Sequence, residues 1–325
     1  VKILVTGGAG FIGSAYVRRL LTGSEPLLHP DAVTVLDKFT YAGTRGSLDP
    51  VRADHRLRVV AGDICDGPLV DAVVAEHDVI VHFAAESHVD RSIAGAAPFV
   101  TTNVLGTQTL LDAALRHGTS RFVHISTDEV YGSIEHGSWT ETAPLDPSSP
   151  YSASKAGADL LALAYHRTHD LDVVVTRGSN TYGRYQHPEK VVPLFVTNLL
   201  DGRDLPLYGD GGNVRDWLHV DDHCHGVTLA LLKGRSGGVY HLAGEVELTN
   251  RELTQRLLDA FDAGWERVRP VTDRKGHDRR YSLDTGTARR ELGFAPHVGF
   301  EQGLHDTIAW YRDNRTWWEP LRRPA

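Results

Sequence analysis

A tyrosine and a lysine four positions apart, Tyr151 and Lys155, follow the run Ser126-Thr127-Asp128-Glu129-Val130-Tyr131-Gly132. On a helix that spacing puts both side chains on one face, about 6 Å apart at Cβ. The lysine charge then lowers the tyrosine pKa, so that a phenolate takes a proton from a sugar or alcohol hydroxyl at neutral pH. The strand-like stretch 122–125 ends just before Thr127, whose hydroxyl can hold the same substrate oxygen. Simple hydride exchange between an alcohol and a ketone needs only Thr127, Tyr151 and Lys155. Asp128 and Glu129 are an additional acid and base beside them. They point to an additional proton transfer, and elimination of water is the simplest one. Read blandly, the two carboxyls are a solvated loop and the Tyr-x-x-x-Lys spacing is chance.

A nucleotide fingerprint upstream weighs against the bland reading. Residues 2–6 read as a buried parallel strand that runs into Gly7-Gly8-Ala9-Gly10-Phe11-Ile12-Gly13 and then a helical pattern. The spacing of Gly7, Gly10 and Gly13 lets the backbone turn tightly and approach a pyrophosphate at the helix N-terminus. A second strand, 33–36, ends at Asp37, whose carboxylate accepts from ribose hydroxyls and repels a 2′-phosphate, which favours NAD over NADP. Lys38 and Arg45 nearby soften that repulsion. Asp63, after the strand 57–61, can accept from an adenine amino group. Ala84 and Ala85 are small where the backbone must come close to the cofactor, and 86–90 put polar groups at the mouth of the cleft. Thr102 and Asn103 can face the cofactor, with a polar helix face as the ordinary alternative.

Further strands are expected at 79–83, 121–126, 173–177 and 239–242, and helices at 69–76, 99–117, 151–169 and 221–233. Alternation of this kind implies right-handed crossovers and a parallel sheet covered on both faces. Ser149 and Pro150 suit the start of the helix that carries Tyr151 and Lys155. After residue 177 the periodicity breaks and Gly, Pro, Arg, His and Trp become frequent. The reading is an α/β chain with a doubly wound parallel sheet, of which 1–177 and 216–243 bind NAD. A smaller, discontinuous substrate domain is expected at 178–215 and 244–325.

Composition fits a cytoplasmic enzyme. A net charge of −8 with interspersed signs leaves no basic footprint for nucleic acid. No apolar run approaches the roughly 20 residues of a membrane span, and no secretory leader is expected before the first strand. Cys65 and Cys224 read as reduced packing residues. The 18 histidines, His82, His117, His124 and His166 among them, form no ligand constellation, so no metal is expected.

These motifs resemble those of the dTDP-glucose 4,6-dehydratases, in the extended short-chain dehydrogenase/reductase superfamily. The resemblance runs over nearly the whole length and is carried by 6–13, 37–43, 84–93, 126–132, 151–155, 215–223 and 273–281. The Asp-Glu pair after Thr127 is its specific part, since related 4-epimerases lack that pair. The resemblance implies a Rossmann domain and a homodimer built on a four-helix bundle. It implies that Tyr151 deprotonates the glucose 4-hydroxyl with Thr127 and Lys155 assisting, that Glu129 removes the C5 proton, and that Asp128 protonates the departing C6 hydroxyl. It adds Phe11, Ile12, Lys38, Thr40, Ile64, Ser87 and Thr181, with Tyr151 and Lys155, to the NAD contacts. It gives Ser87, Thr127, Asn180, Glu189, Lys190, Val191, Leu194, Arg215, Asn250, Arg274, His277 and Tyr281 to dTDP-glucose, with Pro206-Leu207-Tyr208 lining the thymine pocket. One stretch departs from the family pattern. Ser-Asn-Asn-Tyr-Gly-Pro-Tyr is replaced by Ser179-Asn180-Thr181-Tyr182-Gly183-Arg184-Tyr185, which takes an amide from the nicotinamide end and puts an arginine where it can alter the loop or add a phosphate contact. The rival readings are another NAD-dependent nucleotide-sugar 4-epimerase or decarboxylase, and a non-catalytic dinucleotide sensor. The small residues Ala113, Ala114, Ala156, Ala158, Ala162 and Ala164 are expected to pack across a two-fold axis.

Overall fold

The structure, a computed structural model, describes residues 1–322, so the last three residues of the expected 244–325 segment lie outside it. The first half alternates strand and helix. β1 (Lys2–Thr6) leads to α1 (Phe11–Thr22), β2 (Ala32–Asp37), β3 (Leu57–Ala61), α2 (Gly67–Val74) and β4 (Val79–His82). α3 (Val89–Ala94) and the single turn α4 (Ala97–Phe99) follow. A π-helical stretch, Val100–Gly106, then continues into α5 (Thr107–His117), so the expected helix 99–117 is wider-wound over its first part. β5 (Arg121–Thr127), α6 (Pro150–His169) and β6 (Val173–Gly178) complete this half.

The second half is more broken. It runs through β7 (Asn180–Tyr182), α7 (Val191–Leu200), β8 (Leu205–Tyr208), β9 (Val214–His219), α8 (Val220–Lys233) and β10 (Gly238–Leu242). It continues through β11 (Glu247–Thr249), α9 (Asn250–Asp259), β12 (Val268–Val271), α10 (Phe300–Asp313) and α11 (Arg315–Trp318).

Seven parallel strands in the order β3-β2-β1-β4-β5-β6-β10 form the main sheet, doubly wound about β1 and β4. Both faces are covered, so its strands read as continuous apolar runs: Ile3, Leu4 and Val5 of β1 and Val173, Val174 and Val175 of β6 are fully buried. Two smaller sheets, β11-β9-β7 and β12-β8, belong to the later segments. A separate apolar cluster there joins Phe195, Leu253, Leu257, Tyr311 and Trp318. The expected join at 215/216 falls inside β9, which pairs with β7 on one side and β11 on the other. Ala288, Leu292 and Phe294 return to the core of the main sheet rather than joining the second cluster.

Five of the six alanines expected at a two-fold axis are buried within the subunit, and Ala164 is half-buried. Ala113, Ala114, Ala158 and Ala162 are completely buried inside the subunit, and Ala156 nearly so. They let α5 and α6 pack closely on each other and on the sheet. Val100 and Leu105 of the π-helical stretch and Leu160 of α6 are each at least half exposed.

Candidate active site

Ligands of open parallel sheets bind beyond the carboxyl ends of the strands, where neighbouring crossovers part. Here that crevice is framed by the ends of β1, β2, β4, β5 and β6. Its adenosine end is shaped by backbone. Gly7 has φ +67°, and a Cβ there would lie 2.5 Å from the Ala84 amide nitrogen. A Cβ on Gly13 would lie 2.3 Å from the Gly7 carbonyl oxygen, so this glycine holds α1 against the turn. Gly10 starts α1 with no side-chain cap and no acidic residue in the first turn, leaving the first amides to an anion.

Asp37 accepts from the amides of Ala9 (2.9 Å) and Phe39 (2.8 Å) and is held at the end of β2, where burial pushes its pKa up. Asp63 binds the Lys38 ammonium at 2.7 Å through Oδ2 and the Cys65 amide through Oδ1. Lys38 is therefore a partner of Asp63 rather than a free cation beside Asp37. Phe11, Ile12, Thr40, Ile64, Ala84, Ala85, Ser87, Thr102 and Thr181 line the same crevice. Asn103 does not face it. It is buried, accepts from the Glu86 amide, and donates to the Glu86 carbonyl and the Ser154 hydroxyl, which ties the mouth of the crevice to α6.

The catalytic wall joins the end of β5 to the start of α6. Thr127 closes β5, accepts from the Glu129 amide and donates to Asp128 Oδ1 at 3.0 Å. Ser149 caps α6 by accepting from the Ser152 amide, with Pro150 in the first turn. Ser152, which sequence reasoning passed over, donates to Glu129 Oε2 at 3.1 Å. Asp128 is 3 % exposed and its Oδ2 has no partner among the described residues. Burial first, and then the Glu129 charge, push its pKa up to about 8. Burial also raises Glu129, but Arg215 and Lys190 act in the opposite direction on it. Burial thus raises both adjacent carboxyls, and nearby cations oppose that rise at Glu129 whereas the Glu129 charge reinforces it at Asp128.

The tyrosine differs from expectation. Burial and the charges of Glu129 and Asp128 hold the Tyr151 pKa well above its ordinary value, and only Thr127 works the other way. Lys155 is not among the groups that act most strongly on it. Its ammonium donates to the Ile125 carbonyl at 2.7 Å, and burial carries its own pKa down to about 8. Within the protein alone the Tyr151 hydroxyl is protonated.

The nucleotide-sugar end is built from the later segments. Asn180, Glu189, Lys190, Val191, Leu194, Pro206, Tyr208, Arg215, Asn250, Arg274, His277 and Tyr281 line one hollow, which meets the crevice at Glu129, Asn180 and Lys190. Ser87 and Thr127 lie on the crevice side of that junction. Each cation already has a protein partner. Lys190 donates to the Ser87 carbonyl, Arg215 to the Asp278 carbonyl while lying 4.2 Å over the Tyr281 ring, and Arg274 faces Asp90 at 3.5 Å. His277 pairs with Asp273 and Tyr281 donates to Asp278. Leu207 is turned away from the hollow and buried in the second apolar cluster, because alternate residues of β8 face opposite sides. Arg184 reaches Asp221 at 3.3 Å on the surface and adds no cation to the site.

Fold and crevice define a dinucleotide-dependent enzyme of sugar or alcohol hydroxyls, with an extra acid–base pair. A model of the family described as GDP-mannose 4,6 dehydratase matches residues 4–307. The chain is 64 % identical to a dTDP-glucose 4,6-dehydratase of Streptomyces antibioticus, over all of this chain and 97 % of the relative. It is 61 % identical to one of Streptomyces niveus, over all of this chain and 96 % of the relative. Its structure superposes with a TM-score of 0.98 on the crystal structure of DesIV, a dTDP-glucose 4,6-dehydratase of Streptomyces venezuelae with NAD and dTDP bound. That pair is 63 % identical, over 99 % of this chain and 100 % of the other. The chain belongs to the dTDP-glucose 4,6-dehydratase family.

Proposed function

We propose that the protein converts dTDP-glucose to dTDP-4-keto-6-deoxyglucose and water. The observation that carries this reading is the buried Asp128–Glu129 pair in one crevice with Tyr151 and Lys155. The glycine turn at Gly7 and Gly13, the uncapped start of α1 and the carboxylate of Asp37 fit a dinucleotide without a 2′-phosphate. NAD, when bound, takes a hydride from sugar carbon 4 and returns it to carbon 6, so there is no net redox change.

Tyr151 takes the proton of the 4-hydroxyl, with the Thr127 hydroxyl holding the same oxygen. The positive charges of the oxidised cofactor and of Lys155 oppose the carboxyls that hold the tyrosine protonated. The 4-ketone acidifies the C5 proton, which Glu129 removes. Asp128, biased by burial towards the acid, protonates the C6 hydroxyl as it leaves as water. Glu129 returns its proton to C5. Tyr151 gains one proton and Asp128 loses one in each turnover, and Thr127, bonded to Asp128, lies on the short route between them. A 4-epimerase has no use for that second acid.

Ser87 and Asn180 are assigned to the sugar diphosphate and Lys190, Arg215, Asn250, Arg274 and His277 to the diphosphate and nucleoside, with Pro206 and Tyr208 against the thymine. The cofactor body is assigned to 1–177 with 216–243 and the substrate body to 178–215 with 244–325. β9 and the segment containing Ala288, Leu292 and Phe294 pass between them. A homodimer through α6 and the π-helical stretch that continues into α5 is supported by the exposed Val100, Leu105 and Leu160. A cytoplasmic location is supported by two unpaired cysteines. Among the described residues no helix is long and apolar enough to cross a membrane.

Incubation with dTDP-glucose tests the reading. The expected product has lost one water and carries a 4-ketone, while added NAD⁺ is not consumed. Recovery of an unchanged-mass 4-epimer, or stoichiometric loss of NAD⁺, would overturn it.

A further inference from the structure

Glu129 sits in the short turn after β5, where the crevice meets the nucleotide-sugar hollow. Arg215 and Lys190 act on its charge. A charge at a distance does not fix the direction of a carboxylate, whereas a hydrogen bond does. Among the described residues, the side-chain hydrogen bond that Glu129 accepts comes from Ser152, at 3.1 Å on Oε2. Ser152 is 1 % exposed and lies in the first turn of α6, next to Tyr151. The protons of this contact can be placed. Ser152 Oγ has a second oxygen neighbour, Ser149 Oγ at 2.7 Å, and Ser149 Oγ also accepts from the Ser152 amide at 3.1 Å. An ionised carboxylate cannot donate. Both hydroxyl contacts are therefore hydrogen bonds only if Ser149 donates to Ser152 and Ser152 donates to Glu129. The residue that caps α6 thus turns the Ser152 proton towards the base.

We propose that Ser152 is a positioning residue for the elimination step: it ties Oε2 of Glu129 to the first turn of α6, leaves Oε1 to take the C5 proton, and so keeps this base in register with Tyr151. The proposal rests on the reading of Glu129 as the base at carbon 5. A glutamate side chain has several free torsions, and a base must be held in place before its substrate arrives if proton transfer is to be fast. The tie joins the two bases of the reaction, since the helix that carries the tyrosine for oxidation also anchors the carboxylate for elimination. Ser152 itself is buried and acts through Glu129.

The test is rapid mixing of the NAD-loaded Ser152→Ala protein with dTDP-glucose, following reduced-nicotinamide absorbance and 4-keto-6-deoxy product together. The reduced cofactor should form at the parent rate and then persist. Its decay and the appearance of product should slow by about 10- to 100-fold, the cost of a reacting group no longer held in place. Added to Glu129→Gln, the same substitution should slow product no further, because the residue acts through that carboxylate. Should Ser152→Ala not fold, Ser152→Cys, which keeps the shape of the side chain with a weaker donor, carries the same measurements. Decay at the parent rate overturns the proposal. So does an equal slowing of formation and decay, which would mean that the substitution disturbs the start of α6 as a whole, and so does a full further loss in the Glu129→Gln background. A parent protein that makes no 4-keto-6-deoxy product overturns the proposed function itself.

Discussion

The two ends of the crevice are made by different physics. At the dinucleotide end the shaping is done by backbone: a left-handed Gly7, Gly13 pressed against the Gly7 carbonyl, and an uncapped helix start. At the nucleotide-sugar end it is done by cations, Lys190, Arg215 and Arg274, each already engaged with a carbonyl or carboxylate of the protein. A cofactor that ends each turnover as it began can be held by a rigid cradle. A substrate that must leave cannot strand buried charges behind it, since an orphaned buried charge is costly. The carbonyls of Ser87 and Asp278 hold Lys190 and Arg215, while Asp90, 3.5 Å from Arg274 Nε, balances that charge without a hydrogen bond to it.

Between the two ends stands the catalytic wall, and there the largest effect is expected. Tyr151→Phe removes the group that takes the hydroxyl proton. Product formation should fall by about 10²–10⁴-fold, with no reduced-nicotinamide absorbance on mixing with substrate. Persistence of that absorbance would move the first proton transfer to another residue.

The acid pair adds a pH signature. Asp128 has a raised pKa of about 8 and must carry its proton to release water. Activity should therefore decline as pH rises through about 8, by up to tenfold per unit, in a rapid-mixing assay of the elimination step. The same shift bears on stability with a definite sign. A carboxyl whose folded pKa lies above its unfolded value weakens the fold as pH rises between the two. Asp128→Asn, which removes this pH-dependent cost, should make melting temperature less sensitive to pH between about 4 and 8. An identical pH dependence of melting in both proteins would show that Asp128 is not held protonated.

The cradle should fail by crowding instead. Gly13→Ala puts a Cβ 2.3 Å from a backbone oxygen that cannot turn aside. It should cost about 1–3 kcal/mol of stability and release bound dinucleotide during gel filtration, while dTDP binding at the other end, followed by calorimetry, changes little. Loss of both ligands together would mean that the two ends are not separable.

The smallest effect belongs to the surface. Arg184→Ala removes an exposed pair with Asp221 and should change stability by less than about 0.5 kcal/mol in a denaturant titration. A marked loss of affinity for dTDP-glucose would instead restore the phosphate contact that the loop sequence left open.

What was legible in the sequence follows the same division. Glycine spacing, the acid at the end of β2 and the Tyr-x-x-x-Lys helix declare themselves because only certain residue types fit those backbone positions. Alternation along β8 was also available, and it places Pro206 and Tyr208 on one side and Leu207 on the other. Asn103 was not legible, because a polar residue on a helix has the same pattern whether it meets a ligand or a neighbouring backbone. Nor were the alanines of α5 and α6, since small residues mark close packing without saying which surface they meet. The Tyr151 pKa depends on the charges of Asp128 and Glu129, brought against α6 by the turn after β5, and its sign came only with their burial. β9 was missed because it crosses a point where composition changes while its pairing partners lie far apart in the chain.

The central claim is that Asp128 and Glu129 perform a proton-transfer step distinct from oxidation at carbon 4. Rapid mixing of Asp128→Asn and of Glu129→Gln with dTDP-glucose, monitoring reduced-nicotinamide absorbance and 4-keto-6-deoxy product together, tests it directly. The account predicts that both variants accumulate the reduced cofactor while product falls by about 10²–10⁴-fold. Product at the parent rate in both variants would contradict it, and so would loss of the absorbance along with the product.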